Sequence, residues 1–441
     1  MFFFNALHLR DGTLGSNSHC IDLGRRVRHG YRIVTQNFQS TVPIVAVTGG
    51  LLLGGSTTFL LNLTQGLRNC GQNLTILSLS EPNEHAADAA RVGAQVDVAD
   101  SRRLIYEDRL LWAYEKLAAI RPQMVLACLG GDSFELLRVV PPGVVRAGII
   151  QSHDAGPYET ARRYAHWIDV MIGVSEKTCC ELRTFAEFGE TDIAHIPYGI
   201  SFSPPPERRL RSPGEPLRVI YVGRLIEEQK RISRLVQLIR SVSGERADIE
   251  FTLVGGGPLE AQVRVQLAGL PRVVITGALP NSQIPSLLRE HDVFILLSDY
   301  EGLPLSLLEA MGAGVVPIVS DLESGIRDVV AESCGIRVPV GDVSAAAEAL
   351  RRLAKDPAEL FRQGQAAMDL ARNRFSAERM AQSYLNLLPS MNGVAPAWPH
   401  LRSFPPPLGV ARPWLFRGGA RLIRRWLKGA IASVRTQSSR E

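Results

Sequence analysis

Short apolar runs alternate with helix-length stretches along most of the chain, and they do so in two separate series. The first opens at Pro43 with IVAVT and a helical stretch through Leu67, then LTILSLS and a helical stretch around Ile105 to Ile120. MVLACLG, VRAGIIQ, VMIGVS, a helix through Phe185 and AHIPYGI complete it. The second runs LRVIYVG, a helix through Val242, IEFTLVG, a helix through Leu267, VVITG, a helix through Arg289, VFILLS, a helix from about Leu305, and VVPIVS. After Arg327 come IRVPV, a helix over Val343 to Leu353 and another ending near Leu388. Wholly apolar strands separated by helices predict parallel sheets covered on both faces. Between the series, SPPPERRLRSPGEP is rich in Pro and charge and lacks any apolar period, as an interdomain linker does. A length of 441 residues suits two such domains better than one core. The expected fold class is therefore α/β: two Rossmann-like domains facing across a cleft, with ligands at the carboxyl ends of the strands. The expected divisions are an N-terminal extension over 1–40, a first domain over 41–201, a linker over 202–216, a second domain over 217–375 and a basic, Pro-rich tail over 391–441.

Charge is distributed unevenly. The formal net charge is +5, but residues 390–441 hold nine Arg or Lys against one acid, which leaves 40 basic and 43 acidic residues in the first 389. A body of that balance is no nucleic-acid binder. The six cysteines (Cys20, Cys70, Cys128, Cys179, Cys180, Cys334) show no C-x-x-C or Cys/His spacing, so a reducing, cytoplasmic setting is expected and no metal site. The start of the chain lacks the basic n-region, long apolar core and cleavage site of a signal peptide. Residues 42–61 are uncharged and long enough to span a bilayer. Two Gly pairs divide them, however, into a β-branched run, a turn and a helix start, the reading preferred here.

The strongest local signal is EGLPLSLLEAMGAGVVPIVS, residues 301–320. Directly after the apolar run VFILLS come Asp299, Glu301 and Gly302, then Pro304 at a helix start and Glu309 within an otherwise apolar helix. An acid in a strand-to-helix loop faces the cleft, and the helix start offers free N–H groups to an anion. A buried Glu309 needs a hydrogen-bonding partner, which a ribose diol supplies. A second signal is YVGRLIEEQK, residues 221–230, where Arg224 and Lys230 follow a strand end and the Gly223 turn. Two such cations can neutralise a diphosphate and the charge that develops on it as it departs. A third is LVGGGPLE, residues 253–260; Gly255 and Gly257 fit a nucleotide-binding loop, and three glycines serve a tight turn equally well. In the first series, Gly54, Gly55 and Ser56 precede a helix, where a backbone can approach a phosphate or sugar. His153 and Asp154 end another predicted strand; a lone His is more often structural, but one at a strand's carboxyl end faces the cleft. His195 and His291 read as packing or capping residues.

With these motifs the chain resembles the large retaining glycosyltransferase family 4, glycosyl transferases group 1, of GT-B fold, whose signature is two glutamates separated by seven residues. Glu301 and Glu309 match that spacing together with Gly302 and the Ala-Met-Gly-Ala-Gly-x-x-Pro continuation, and Arg224 and Lys230 match its Arg and Lys six residues apart. The resemblance covers residues 43–389 and is strongest over 219–330. It implies that Glu301 lies near the transferred sugar, Glu309 binds the ribose hydroxyls, and Arg224 and Lys230 stabilise the diphosphate. Gly302, Leu303 and Leu305 would bind through the helix start, Gly54 and Gly55 near donor phosphate and acceptor, Gly255 and Gly257 near the nucleotide, and His153 at the sugar. The implied activity is transfer of a hexose or related sugar from a nucleoside-diphosphate sugar to a hydroxyl of a glycan or lipid-linked acceptor, with retention of anomeric configuration. No cofactor is implied, and without a D-x-D sequence no metal. A helix over 376–390 is expected to cross back to the first domain. The family's Asn-Gly after Ile-Pro is here Tyr198-Gly199, which leaves that hinge contact open. Two other classes compete: a catalytically silent sugar-nucleotide-binding scaffold, and a GT-B-like epimerase or phosphorylase.

In the tail, residues 414–435 have a helical period that sets Arg417, Arg421, Arg424, Arg425, Lys428 and Arg435 opposite Leu422, Ile423, Trp426, Ala430 and Val434. Such a helix suits an anionic membrane surface, which would make the protein peripheral at the inner face; its apolar face suits packing on the protein body equally well.

Overall fold

Each series of apolar runs forms one parallel sheet. The structure is a computed structural model and describes residues 41–408 except 53, 154, 206–210, 213, 244–247 and 389–395. The extension over 1–40, Asp154 and the amphipathic stretch over 414–435 lie outside the described residues.

The first sheet holds β1 (Ile44–Thr48), β2 (Leu74–Ser78), β3 (Gln95–Val98), β4 (Met124–Leu129), β5 (Val145–Ile150), β6 (Val170–Gly173) and β7 (Asp192–His195), in the order β3-β2-β1-β4-β5-β6-β7. Its helices are α1 (Gly55–Asn69), α2 (Ala86–Arg91), α3 (Tyr106–Ile120), α4 (Gly131–Leu136), α5 (Ala155–Tyr164) and α6 (Glu176–Thr184). The second sheet holds β8 (Leu217–Val222), β9 (Ile249–Val254), β10 (Val273–Gly277), β11 (Val293–Leu296), β12 (Val316–Ser320) and β13 (Ile336–Val338), in the order β10-β9-β8-β11-β12-β13. With it go α7 (Ile232–Ser243), α8 (Glu260–Gln266), α9 (Ile284–Arg289), α10 (Leu305–Gly312), α11 (Gly325–Val329), α12 (Val343–Lys355), α13 (Pro357–Arg374) and α14 (Ala377–Leu385). Both sheets reverse winding direction at one point: between β1 and β4 in the first and between β8 and β11 in the second. Loops at such a switch part to opposite faces, and the crevice left at the carboxyl ends is where ligands bind in open α/β sheets.

Sequence explains the layers directly. β1 (IVAVT), β11 (VFIL) and β12 (VPIVS) are buried at every position, as strands covered on both faces must be. The uncharged segment from Val42 to Leu61 is thus a strand, a Gly-rich turn and the start of α1; among the described residues no helix is long and apolar enough to cross a membrane. β3 (QVDV) is a strand that the apolar pattern did not indicate, because it is a short edge strand with Gln95 and Val98 exposed.

The helical stretch that ends near Leu388 is two helices, α13 and α14. α13 stops at Phe375, and Ser376 caps α14 by accepting from the N–H of Arg379. The chain turns there because Ile200 holds it: Ile200 N–H donates to Phe375 O at 2.8 Å and Ala377 N–H to Ile200 O at 3.0 Å. α14 then packs on α1 in the first lobe, with Tyr384 and Tyr198 both against Phe59 at 6.2 and 5.4 Å between centroids. Two glycines permit the approach. A Cβ on Gly66 would lie 2.1 Å from the carbonyl oxygen of Ala377, and one on Gly199 2.4 Å from that of Ser376.

The Pro-rich stretch beyond α14 packs on the first lobe. Residues 396–408 run over α3 and the end of α4: Phe404 is buried, Trp398 lies 5.7 Å from Tyr114, the Tyr114 hydroxyl donates to Pro399 O, and Arg138 Nη1 donates to Pro406 O at 3.0 Å.

Candidate functional site

The site grows from the switch point of the second sheet. β8 ends at Val222 and the chain turns through Gly223 to Arg224, while β11 ends at Leu296 and leads to Ser298, Asp299 and Glu301. The two loops are joined through their backbones, Asp299 N–H donating to Gln229 O at 2.9 Å. Side chains complete the link. Lys230 Nζ and Ser298 Oγ each donate to Glu301 Oε1 at 2.6 Å, while Gln229 Nε2 donates to Glu301 Oε2 at 3.3 Å and to Tyr300 O at 3.2 Å. The other end of the same amide, Gln229 Oε1, accepts from Arg224 Nη2 at 3.0 Å. Three of the four predicted polar groups of the second lobe, Arg224, Lys230 and Glu301, thus stand in one hydrogen-bonded chain. Lys230 and Glu301 keep only 11% and 6% side-chain exposure. A pair so buried is weak evidence for stability, but stranding one partner costs about 3–5 kcal/mol. Arg224, by contrast, is exposed.

Two residues in this chain were not legible in the sequence. Gln229 and Ser298 carry no pattern of their own, and only the joining of the β8 and β11 loops gives them Glu301 as a partner. Asp299 has a different task from the cleft-facing one its position suggested: it pairs with Arg231 and Arg234. Burial pushes its carboxyl up, but the hydrogen bonds and charges of the two arginines outweigh that and hold it below the usual range.

Glu309 lies one turn into α10, half-buried, and among the described residues no hydrogen-bond donor reaches its carboxylate. Its surroundings desolvate it enough to push its pKa up to about 7. Leu303 and Leu305 are buried, so only backbone is available from them; α10's first turn has N–H groups without intrahelical acceptors. The lobes also meet closely at Gly302: a Cβ there would lie 2.5 Å from the carbonyl oxygen of Gln151, just after β5. Gly55, at the start of α1, faces the start of α10, its Cβ position 3.9 Å from Leu305 Cδ1, and Gly54 before it has φ 158° with open space around it. Ser56 Oγ donates to Gln151 Oε1 at 2.5 Å.

His153 follows Gln151 by two residues on the first lobe. Its Nδ1 lies 3.3 Å from the Tyr158 hydroxyl and 3.4 Å from Glu181 Oε2, and its Nε2 3.4 Å from Ser175 Oγ. The ring is therefore fixed in orientation from α5 and α6. Gly255 and Gly257 sit behind the β8 loop. A Cβ on Gly255 would lie 1.8 Å from Gly223 O and one on Gly257 2.5 Å from Leu225 O, while Leu225 N–H donates to Gly256 O at 2.9 Å. Their steric task is to let the loop bearing Arg224 lie directly on them. His291 bridges Leu287 O and Thr252 Oγ1 at 2.8 and 2.9 Å, and His195 Nδ1 lies 3.1 Å from Glu176; neither belongs to this cluster.

The sequence profile of the family described as glycosyl transferases group 1 matches residues 216–356, the stretch that supplies Arg224, Lys230, Glu301 and Glu309. Residues 216–356 are a glycosyl transferases group 1 domain. Among curated proteins, part of the chain is similar to the amylovoran biosynthesis glycosyltransferase AmsK of Erwinia amylovora. The two are 34% identical over 156 residues, 33% of this chain and 38% of AmsK. The putative colanic acid biosynthesis glycosyltransferase WcaL of Escherichia coli is 35% identical over 159 residues, 34% of this chain and 38% of WcaL. The matches thus span less than half the length of these relatives. Among solved structures, a variant of S. aureus TarM in a complex that includes UDP superimposes with a TM-score of 0.66 at 12% identity. That match covers 79% of this chain and 100% of TarM. The fold around the group 1 domain is accordingly GT-B, two Rossmann-like domains.

Proposed function

We propose that the protein is a retaining glycosyltransferase that moves a sugar from a nucleoside-diphosphate sugar to a hydroxyl of a glycan or lipid-linked acceptor. The observation that carries this reading is the hydrogen-bonded chain from exposed Arg224 through Gln229 to buried Glu301 and Lys230. It sets cations for a diphosphate beside a carboxylate for sugar hydroxyls at a switch point of the sheet. Arg224 and Lys230 would take the diphosphate and stabilise the charge it gains on leaving. Glu309 would accept from the ribose diol, and the α10 start from Gly302 to Leu305 would donate to phosphate. Gly54 and Gly55 would lie beside the donor phosphate and acceptor, Gly255 and Gly257 behind the nucleotide, and His153 would position the sugar.

In the reaction the bond from the sugar's anomeric carbon to the diphosphate oxygen breaks and a bond from that carbon to the acceptor oxygen forms on the same face. The acceptor proton passes to the leaving phosphate, giving glycoside and nucleoside diphosphate, so no separate protein base is required. Support for a glycan acceptor comes from AmsK and WcaL, whose names place them in amylovoran and colanic acid biosynthesis. The basic stretch over 414–435 would bring the enzyme to an anionic membrane surface.

The deciding experiment is a thermal-shift panel of UDP, GDP, ADP and CDP and their sugars, followed by acceptor-dependent nucleotide release. A ligand at a hundred times its Kd adds about 2.7 kcal/mol. One base should raise the melting temperature and its sugar should be turned over; binding without product on any acceptor would point instead to a silent scaffold.

A further inference from the structure

The switch point of the first sheet carries a polar cluster that the donor site does not use. Tyr106 opens α3, Arg109 lies one turn further on, and Asp132 lies in the first turn of α4, just beyond the carboxyl end of β4. The edge is the one that bears Gly54 after β1 and Gln151 after β5.

Arg109 is mostly buried, with 17% side-chain exposure, and under-satisfied. Nη1 donates to Leu79 O at 3.1 Å, Nη2 stands 3.9 Å from Asp132 Oδ2, and Nε is buried with no hydrogen-bond partner. The guanidinium also sits 5.9 Å over the Tyr106 ring. A separation of 3.9 Å attracts but is too long for a hydrogen bond, so guanidinium and carboxyl face each other without a direct bond between them, while Tyr106 hydrogen-bonds the carboxyl. Asp132, a third exposed, is held above the usual carboxylate range by burial, with Glu135 adding and Arg109 and the Tyr106 hydroxyl opposing. Glu135 itself is fully buried and already engaged by Arg138 and Tyr164.

We propose that Tyr106, Arg109 and Asp132 form the acceptor subsite and that it takes an uncharged sugar ring through its hydroxyls. This rests on the glycosyltransferase reading above. A hydroxyl is the group that donates and accepts at once: an oxygen about 2.8 Å from both Arg109 Nη2 and Asp132 Oδ2 spans the gap at an angle of about 90°. An anionic ring would meet the Asp132 charge and a cationic one the Arg109 charge, whereas a neutral hydroxyl leaves the pair compensated. Tyr106 keeps the carboxyl in place from the side.

The test uses the full chain with the donor that the wild-type protein turns over and p-nitrophenyl glycosides of neutral hexoses and of a uronic acid. Transfer to at least one neutral glycoside is expected. Arg109→Met and Asp132→Asn should each raise the acceptor KM at least tenfold, while the Kd of the nucleoside diphosphate found in the panel stays within twofold. Unchanged acceptor KM in both variants, or transfer confined to the uronic acid or to none of the glycosides, overturns the proposal. A parallel loss of nucleotide affinity and melting temperature in both variants also overturns it, since the trio would then only hold the lobe together. Absence of nucleotide binding and donor turnover in the wild type sinks the glycosyltransferase reading itself, a result separable from all the others.

Discussion

Glu301 holds three hydrogen bonds before any ligand arrives, two on Oε1 and one on Oε2. An ionised carboxylate offers about four acceptor positions, so in the proposed role a sugar hydroxyl would find little room unless Lys230 turned to a diphosphate. Replacing the carboxylate by an amide removes the charge but leaves the shape. Glu301→Gln should therefore lower kcat by about 10²-fold while the donor KM changes little, checked by steady-state kinetics. Glu309 makes a different prediction, since its pKa is raised in the folded protein from 4.5 to about 7. The folded state then holds more protons than the unfolded state between those values, so this residue lowers stability as pH climbs from about 4.5 to 7. Above pH 7 the full penalty remains. Glu309→Gln should be more stable than wild type at pH 8, with the difference vanishing near pH 4.5, as melting curves across pH will show. If Glu309 takes the ribose as proposed, the ribose hydroxyls would favour its ionised form, and nucleotide binding to wild type near pH 6 should release a proton, measurable by calorimetry in buffers of different ionisation heat.

At the scale of elements, glycines set how closely loops and helices approach. Gly302 matters most for the site, because its contact with Gln151 O joins the loop bearing Glu301 to the strand end bearing His153. Gly66 does the same for α1 and α14. Gly66→Ala would press a methyl group onto the backbone of Ala377, and the helices must part. Overpacking of that kind costs about 1–3 kcal/mol, to be read as a lower urea midpoint with little change in slope. α14 illustrates how far patterning alone reaches. Its apolar positions Met380, Ala381, Tyr384 and Leu385 announce a helix, but nothing in them says that the helix leaves the second lobe to cover the first.

At the scale of the whole molecule, the chain crosses between lobes near Ile200 and again at Phe375, and then returns over the first lobe as the segment 396–408. That segment buries Phe404 and covers Tyr114 and the α3 surface. Phe404→Ala should cost about 3–5 kcal/mol, read as a lower melting temperature, and deletion of residues 409–441 tests the basic stretch. If that deletion leaves binding to anionic liposomes intact, the basic stretch is not the membrane contact.

Local order was written plainly in the residues. Uninterrupted β-branched runs such as IVAVT can be stable only inside a two-faced layer, and the Glu301 to Glu309 spacing places one acid in a loop and the other one turn into a helix. These are consequences of short-range periodicity and of turn chemistry. The partners were not written there. Gln229 meets Glu301, Asp299 meets Arg231 and Arg234, and Arg109 stops 3.9 Å short of Asp132 because sheet order brings distant strand ends together. Hydrogen bonding depends on ångström-scale distance, and distance between segments is a property of packing, which no single stretch of sequence contains.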